Sequence, residues 1–577
     1  MIRPGEATLN WPEDFTLDDG IYSPETTKPF PYCDGEERES RMLRELLDVT
    51  DRSTLSRELR AMAVDWPSRY HFSPRRSNLL RPIQLRSGAR VLEVGCGCGA
   101  LTRYLGESNL DVLALEGNAQ RARISAARTA DLENVTVVAA DFNDVRFAQK
   151  FDHVVLVGVL EYAAEFDDGP TPHESLLNRC RQLLSPAGSL ILAIENRFGL
   201  KYFAGIAEDH TGHPYMGVNG GYVNGGPKTF TYCELQDMLQ GAGFTATRTL
   251  TPSPDYKLVR NVVDFGQVPE GARETVAQMT ASSTYEDLQI IAPPAFSIER
   301  ALSTAARDGL GLPLGNSFLF LAGTSAADID SLTIPGEFAW HYALERAPGT
   351  TKATVLVARA DGLYSRQANL DTGQGPRARS LTQTCVDGPL LKGKSVWLQL
   401  LSIVNTSGWD CAEVARALTP WMKSLCGTWQ TRTQASWGEA PIGDLFDATP
   451  YNAFSAPDGV VTFFDLEWSL DEDVPLGLIV LRGILFSLDM LGSCEAPTQG
   501  SPELLGDFAK EIANTLLHSQ EIPYQLPSGD SFLQWLAAVQ SAASGMPVSG
   551  SRHWLEKLWT KPLPVRIRPA RVAMLEM

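Results

Sequence analysis

The residues best suited to chemistry in this chain gather around Arg90 to Thr102, RVLEVGCGCGALT. Glycines at 95, 97 and 99 follow an acid at Glu93 and interrupt a run of apolar and β-branched residues. A strand that breaks into alternate glycines and resumes as helix-compatible sequence has the pattern of a tight turn facing a phosphate or a nucleoside. Glycine allows the sharp turn and lets a ligand approach where a Cβ would collide. Two further acids extend the pattern: Glu116 closes the next apolar run, 21 residues beyond Gly95, and Asp141 closes the one after. A carboxylate at the first position can accept hydrogen bonds from both ribose hydroxyls. One at the second can accept from an adenine amino group. Cys96 and Cys98 read as small residues tolerated in the turn, because no partner cysteines accompany them.

These residues need elements to hold them. From Arg90 the chain alternates: strand VLEVG, a helix near 100–106, strand DVLALE to Glu116, and a helix rich in Arg and Ala. Strand VTVVAAD to Asp141, strand HVVLVGVLEY, a helix from about Ser175 to Leu184 and strand SLILAIEN follow. Such alternation predicts an α/β, Rossmann-like domain with a mostly parallel, doubly wound sheet that binds ligands at the carboxyl ends of its strands. Upstream lies a lead-in with a helix near Glu37 to Leu47, then DWPSRYHFSPRRSNLLRP from Asp65 to Pro82. Two readings of that segment stand: Tyr70, His71, Arg75 and Arg76 line the mouth of the ligand site, or they belong to a helical cap with solvated arginines.

A dinucleotide-binding domain also carries an acid at the offset of Glu116, so the offset alone does not discriminate. The turn does: ExGxGxG differs from GxGxxG, and no second mononucleotide-binding half follows. Together with Gly158-Val-Leu-Glu161, these segments resemble the successive motifs of class I S-adenosylmethionine-dependent methyltransferases, over roughly Arg81 to Phe244. The resemblance implies that Glu93, Gly95, Gly97 and Gly99 belong to the cofactor site, the glycines against the methionine moiety. It implies that Glu116 meets the ribose and Asp141 the adenine, and that Gly158 to Glu161 face the methyl-transfer centre.

Methyl transfer from a sulfonium requires a nucleophile aligned at about 3–3.5 Å and a group to take its proton. No Asn-Pro-Pro-Tyr signature occurs, which favours an oxygen acceptor over nitrogen. The polar stretch ENRFGLKYFAGIAEDHTGHP, Glu195 to Pro214, supplies candidates. His210 is the expected general base, because its ordinary pKa lies near neutrality. Asp209 or Glu208 would orient it, and Asn196, Arg197 and Lys201 would hold the acceptor. The competing reading is a surface lid whose histidines bond to backbone. This stretch, DWPSRYHFSPRR and GLPLGNSFLFLAG together resemble uncharacterised methyltransferases associated with bacterial surface-polysaccharide biosynthesis, which implies a sugar or glycan hydroxyl as acceptor.

The second half reads as an α+β domain. In GDLFDATPYNAFSAPDGVVTFFDLEW, Asp447 precedes Asn452 by five and Asn452 precedes Asp465 by thirteen. Those intervals resemble the catalytic loop and metal-binding acid of protein-kinase-like and aminoglycoside-phosphotransferase-like folds. The likeness implies a catalytic Asp447, with Asn452 and Asp465 holding the metal of Mg-ATP. The pattern departs where a His is usual and Leu445 stands. It departs again in the first lobe, which offers only Pro348 to Thr350 as a glycine loop and Arg366 where a phosphate-pairing Lys is expected. A degenerate module that binds nucleotide or glycan, or chance spacing in a helical domain, remain the alternatives. Bifunctional methyltransferase and kinase proteins that terminate bacterial O-polysaccharide chains resemble this architecture; a non-catalytic scaffold is the contrasting reading.

Composition bounds these expectations. With 577 residues, two or three domains are expected: a helical lead-in and cap (1–80), a methyltransferase domain (81–325), a kinase-like domain (326–500) and a helical extension with tail (501–577). A net charge of −19 disfavours a nucleic-acid partner, since gripping a polyanion depends on basic side chains. The start MIRPGEATLNWPEDF has no signal-peptide pattern and no window approaches the roughly 20 apolar residues of a membrane span, so the expected location is the cytoplasm. Nine cysteines without a CxxC pair signal neither disulfides nor zinc. The basic, proline-broken tail KPLPVRIRPARVAMLEM reads as an extended segment, with peripheral membrane contact as the alternative.

Overall fold

The computed structural model describes residues 15–18, 20–24, 33–291, 293–371, 381–433, 443–470, 474–522 and 524–566. The chain divides into two compact units. The first comprises Met1–Phe203, Ala207–Gly266 and Leu312–Glu337; the second comprises Ala204–Ile206, Gln267–Gly311 and Phe338–Met577. Residues 267–311, expected with the methyltransferase domain, thus belong to the second unit. Their helices pair with each other and bond into it: Ser395 donates its amide to Glu274 Oε1 at 3.0 Å, and Gln278 donates to the Tyr451 carbonyl at 2.9 Å.

In the first unit the strands are β1 (Phe15–Asp18), β2 (Ile21–Pro24), β3 (Arg90–Val94), β4 (Asp111–Glu116), β5 (Val135–Ala139), β6 (Phe151–Val157), β7 (Leu184–Glu195), β8 (Ala246–Ser253), β9 (Asn261–Val263) and β10 (Ser317–Gly323). Their order is β1-β2-β5-β4-β3-β6-β7-β10-β8-β9. The pairs β5/β4, β4/β3, β3/β6 and β6/β7 are parallel, and β10 lies antiparallel between β7 and β8. The central strands read as continuous apolar runs because both faces are covered, and Leu92, Leu113, Val154 and Leu192 are wholly or almost wholly buried.

Two local expectations change. The lead-in is not wholly helical: β2 joins β5 in parallel and β1 folds back on β2, although Glu36–Asp48 forms the expected helix. Four-residue strands are too short to show a period in sequence. HVVLVGVLEY is not one strand either. β6 stops at Val157 because Gly158 adopts φ +69°, and Leu160–Tyr162 turns as a 3₁₀ helix. That break carries Glu161 out of the sheet.

The second unit is α+β. Strands β11 (Glu337–Ala343), β12 (Lys352–Arg359), β13 (Gly362–Asn369), β14 (Leu381–Gln383), β15 (Gly388–Pro389), β16 (Lys394–Ser395), β17 (Ala453–Ser455), β18 (Val461–Phe463) and β19 (Trp468–Leu470) alternate with long helices such as Cys411–Thr433 and Leu476–Asp489. β12 and β13 form an antiparallel hairpin, and β17 pairs with both β16 and β18. Trp397, Trp409, Trp421 and Trp429 are fully buried in its helical part. Among the described residues no helix is long and apolar enough to cross a membrane. The end of the basic tail, 567–577, lies outside the described residues.

Candidate active site

A cavity of about 570 Å³ opens where β3, β4, β5 and β6 end. Gly95, Gly97 and Gly99 all take positive φ, at +73°, +55° and +76°. A Cβ on Gly95 would sit 2.5 Å from Val159 Cγ2, and one on Gly99 would sit 2.8 Å from the Ser125 Cα, so both glycines are fixed by backbone angle and crowding alike. The turn's amides are used within the protein. Gly95 and Cys96 donate to the Leu115 carbonyl at 2.8 and 3.0 Å, Gly97 to Glu116 Oε2 at 2.8 Å, and Gly99 to the Cys96 carbonyl at 3.1 Å. A phosphate cradle needs such amides aimed at the ligand. Here the amides of Gly95, Cys96, Gly97 and Gly99 are turned to protein acceptors instead.

Glu116 is buried and also accepts from the Asn118 amide at 2.9 Å. Burial raises its pKa, while these backbone bonds and Arg121 pull it back. A carboxylate offers about four lone-pair positions, so two remain for ligand hydroxyls. Asp141 lies just past the end of β5, lines the cavity and accepts the Asn143 amide through Oδ1 at 2.8 Å. Glu93 also lines the cavity. It accepts from Thr102 Oγ1 at 2.7 Å, which ties β3 to the helix Ala100–Glu107, and burial raises its pKa to about 8. A Cβ on Gly158 would meet the Tyr256 hydroxyl at 2.8 Å.

The helix Trp66–Phe72 begins in a capping box of Asp65 and Ser68. It delivers Tyr70 and His71 to the cavity, and the following turn delivers Arg76. His71 Nε2 lies 2.9 Å from Asp34 Oδ2, and burial lowers its pKa. Arg76 donates to the carbonyls of Tyr256 and Lys257 at 3.3 and 3.0 Å, with its guanidinium 4.2 Å over the Tyr70 ring. Arg75 does not line the cavity.

Beyond Gly158 the lining becomes a buried acid and base cluster: Glu161, Tyr162, His210, Tyr256 and Lys257. The Tyr162 hydroxyl lies 3.1 Å from His210 Nδ1, and His210 Nε2 lies 3.7 Å from Glu195 Oε2. Burial pulls the His210 pKa down, but Glu195 outweighs it and raises the value to about 9. An imidazole in that state holds its proton near neutral pH and would have to release it before acting as the expected base. Asp209 does not orient His210. Its carboxylate takes the Lys257 ammonium at 2.6 Å, while Glu208 Oε2 accepts the His210 amide at 3.0 Å. Lys257 also donates to Glu195 Oε1. Burial raises the Glu161 pKa to about 8, with Glu195 pushing the same way.

The three expected acceptor-holding residues are placed elsewhere, because each is engaged inside the fold. Asn196 donates to the carbonyls of Pro313 and Gly315 at 2.8 and 2.7 Å. Arg197 bonds Glu234 at 3.0 Å, and the fully buried Lys201 lies 3.4 Å from Asp255. None of them lines the cavity. Sequence reasoning assigned no role to Glu195, Tyr162, Tyr256 or Lys257, although Glu195 opens the polar stretch ENRFGLKYFAG, Tyr162 follows Glu161, and Tyr256 and Lys257 lie in the polar stretch SPDYKLVRN.

In the second unit Asp447, Asn452 and Asp465 do come together. Asn452 donates its side-chain amide to the Asp447 carbonyl at 3.0 Å and accepts the Phe464 amide through its own carbonyl at 3.0 Å. Asp447 is buried with Arg482 at 3.0 Å, and burial raises its pKa to about 6. Asp465, at φ +52°, takes Lys352 at 2.5 Å and Gln367 at 2.7 Å. Glu467 binds Arg346 through two bonds of 2.7 and 2.8 Å. Lys352, which opens β12, is therefore the cation that meets the acid, in place of the expected Arg366, which sits on β13 opposite Val355. Gly349, in the Pro348–Thr350 turn, donates to Asp371 at 2.9 Å.

The fold and the first unit's site define a class I methyltransferase domain, and residues 92–190 match the family model described as a methyltransferase domain. Among known proteins, this chain is 29% identical over 111 residues to the cyclopropane-fatty-acyl-phospholipid synthase of Escherichia coli (strain K12), covering 19% of this chain and 27% of that one. It is 30% identical over 144 residues to the mitochondrial ubiquinone biosynthesis O-methyltransferase of Mus musculus, covering 23% and 37%. The chain thus spans about a third of the length of these relatives. Among solved structures, it is similar to phosphoethanolamine N-methyltransferase 2 of Haemonchus contortus in complex with S-adenosyl-L-methionine, at 16% identity and a TM-score of 0.26, covering 43% of this chain and 51% of that one.

Proposed function

We propose that the first unit is an S-adenosylmethionine-dependent methyltransferase acting on oxygen, with a sugar hydroxyl in polysaccharide or glycoconjugate assembly as the acceptor. The observation that carries the reading is one cavity with two unlike ends. A glycine turn with Glu116 and Asp141 stands at one end, and the buried Glu161, Tyr162 and His210 stand at the other. The residues fit the cofactor: Glu116 keeps lone pairs for a ribose, Asp141 lies one strand further on, and the amides of Gly95, Cys96, Gly97 and Gly99 are engaged within the protein. Bound there, S-adenosylmethionine supplies an electrophilic methyl on a sulfonium. The chain's own residues do the rest. Tyr70, His71 and Arg76 frame the cavity on its helical side, and the buried cluster faces the acceptor. Calorimetry with S-adenosylhomocysteine should show binding, and glycan acceptors should release S-adenosylhomocysteine from the donor. Binding without release for any hydroxyl acceptor would sink the enzymatic reading in favour of a scaffold.

For the second unit we infer a kinase-like site that takes Mg-ATP, because Lys352, Asp447, Asn452 and Asp465 converge there. Asp465 and Asn452 would hold the metal and Asp447 would face an accepting hydroxyl. Absence of Mg-ATP binding at millimolar nucleotide would remove this reading and leave the first unit's untouched.

A further inference from the structure

We propose that Glu161, Glu195 and His210 form a divalent-cation site beside the cavity, and that the cation holds the acceptor oxygen there. Glu161 and Glu195 are wholly buried, yet Oε2 of each has no hydrogen-bond partner among the described residues, and neither has Nε2 of His210. Their available ligand atoms all lie within 4.8 Å of one another. Oxygen and nitrogen ligands sit about 2.1 Å from a small divalent ion, so two of them can be about 4.2 Å apart across it. A modest contraction closes the site.

The opposite atom of each ligand is already held. Tyr256 donates to Glu161 Oε1 at 3.4 Å, Lys257 to Glu195 Oε1, and the Tyr162 hydroxyl lies 3.1 Å from His210 Nδ1. An ion at Nε2 requires the tautomer in which Nδ1–H donates to Tyr162, a bond that the 3.1 Å spacing accommodates. Outer partners of this kind fix ring orientation in metal sites. Three held atoms and three facing ones are what a trimmed coordination shell requires, and the cavity along Glu161 and His210 leaves the remaining positions to water or an acceptor.

Metal binding at His210 releases the proton that the ring holds near neutral pH, so affinity for the ion should rise with pH. Two carboxylates and one imidazole suit a metal of mixed oxygen and nitrogen preference, for which Mn²⁺ is a direct probe. The role of the ion rests on the methyltransferase reading; the site does not. An acceptor hydroxyl bound to it becomes more acidic. Its O–H bond breaks, the electron pair stays on oxygen, and the proton passes to cavity water.

The test titrates the full chain, and its Asp465→Asn variant to exclude an ion in the second unit, with Mn²⁺ in the absence of nucleotide. Calorimetry should show one ion per chain, and pulsed electron paramagnetic resonance should show coupling to a single imidazole nitrogen. Glu161→Gln, which keeps shape, and His210→Ala should each abolish that binding, and Tyr162→Phe should weaken it by about 10- to 100-fold. No binding at millimolar Mn²⁺ overturns the proposal, as does binding that survives both substitutions. If the variants fail to fold, the wild-type nitrogen coupling decides, and its absence overturns the site. S-adenosylhomocysteine binding, measured in parallel, separates the two readings. Its loss with Mn²⁺ still bound removes the methyltransferase reading alone, and the reverse removes the cation site alone.

Discussion

Each unit buries a cluster of acids around lysine, and the two clusters are finished differently. In the second unit Glu467 meets Arg346, Lys352 and Gln383, and Asp465 meets Lys352 and Gln367. Burial alone would raise the Glu467 pKa; Arg346 and Lys352 overcome it and hold the carboxyl at about 2. In the first unit Lys257 bridges Glu195, Asp209 and Asp255, and Lys201 also reaches Asp209 and Asp255, while Glu161 and His210 keep atoms facing a cavity. The lesson is one of redundancy: the second cluster satisfies each acid several times over, and the first leaves valence for a ligand. Asp465 Oδ1 is already held by Lys352 and Gln367, whereas Glu161 Oε2 has no hydrogen-bond partner among the described residues.

The sharpest way to break the contrast is to delete one cation from each. Lys257→Met leaves Glu195 buried without a lysine and Asp209 and Asp255 with Lys201 alone, and should cost the first unit about 3–5 kcal/mol in urea unfolding. A cost below about 1 kcal/mol would show that the acids simply take up protons, and the contrast would fail. Next in size is the cofactor end. Glu116→Ala removes a carboxylate that holds Gly97 and Asn118 and is assigned to the ribose, so S-adenosylhomocysteine affinity should fall about 100-fold, near 3 kcal/mol. Unchanged affinity would remove Glu116 from the ligand site. Arg346→Met should cost the second unit less, about 1.5–3 kcal/mol, because Lys352 and Gln383 still hold Glu467. If it unfolds that unit outright, redundancy is the wrong description.

Legibility in the sequence followed the same division. Glu93, the glycines, Glu116 and Asp141 could be read because each sits at the end of its own strand, within a few residues of the signal that marks it. The acid and base cluster could not. Glu195, His210 and Lys257 come from the end of β7, a turn-rich loop and the connection after β8, and only the closed sheet brings them together. The miss at Asn196 is one residue wide. Successive strand residues point to opposite faces, so Glu195 enters the cluster while Asn196 bonds Pro313 and Gly315. Likewise the β12/β13 register, Lys352 opposite Asn369 and Val355 opposite Arg366, decides which cation reaches Asp465. Register is not written in either strand alone.

A buried histidine away from both clusters gives a pH test confined to the first unit's sheet. His153 on β6 lies 2.8 Å from Ser189 Oγ on β7, and burial lowers its pKa from 6.5 to about 4. The native state therefore prefers neutral imidazole. The associated stability is complete above pH 6.5 and is lost as pH falls toward 4, about 2–3 kcal/mol across that window. Urea unfolding at pH 7 and 4.5 should show this slope in the wild type and a shallower one in His153→Gln; equal slopes would assign the acid sensitivity to other groups.

The smallest effect expected lies at the mouth of the cavity, where the short helix Trp66–Phe72 depends on its cap. Asp65 accepts the Ser68 amide at 3.0 Å and bonds Arg41 at 2.6 Å, and Ser68 returns a bond to the Asp65 amide at 3.0 Å. Seven residues make barely two turns, too few to persist without such a cap. Asp65→Ala removes one bond of the box and should cost about 1 kcal/mol locally. Because this helix carries Tyr70 and His71 to the cavity, the loss should appear as faster amide exchange over 66–72 and a severalfold weaker S-adenosylhomocysteine affinity, with Mn²⁺ binding at Glu161 unchanged. If Mn²⁺ binding weakens in step with the helix, the two ends of the cavity are one coupled site, and treating them as a cofactor end and an independent ion end is wrong.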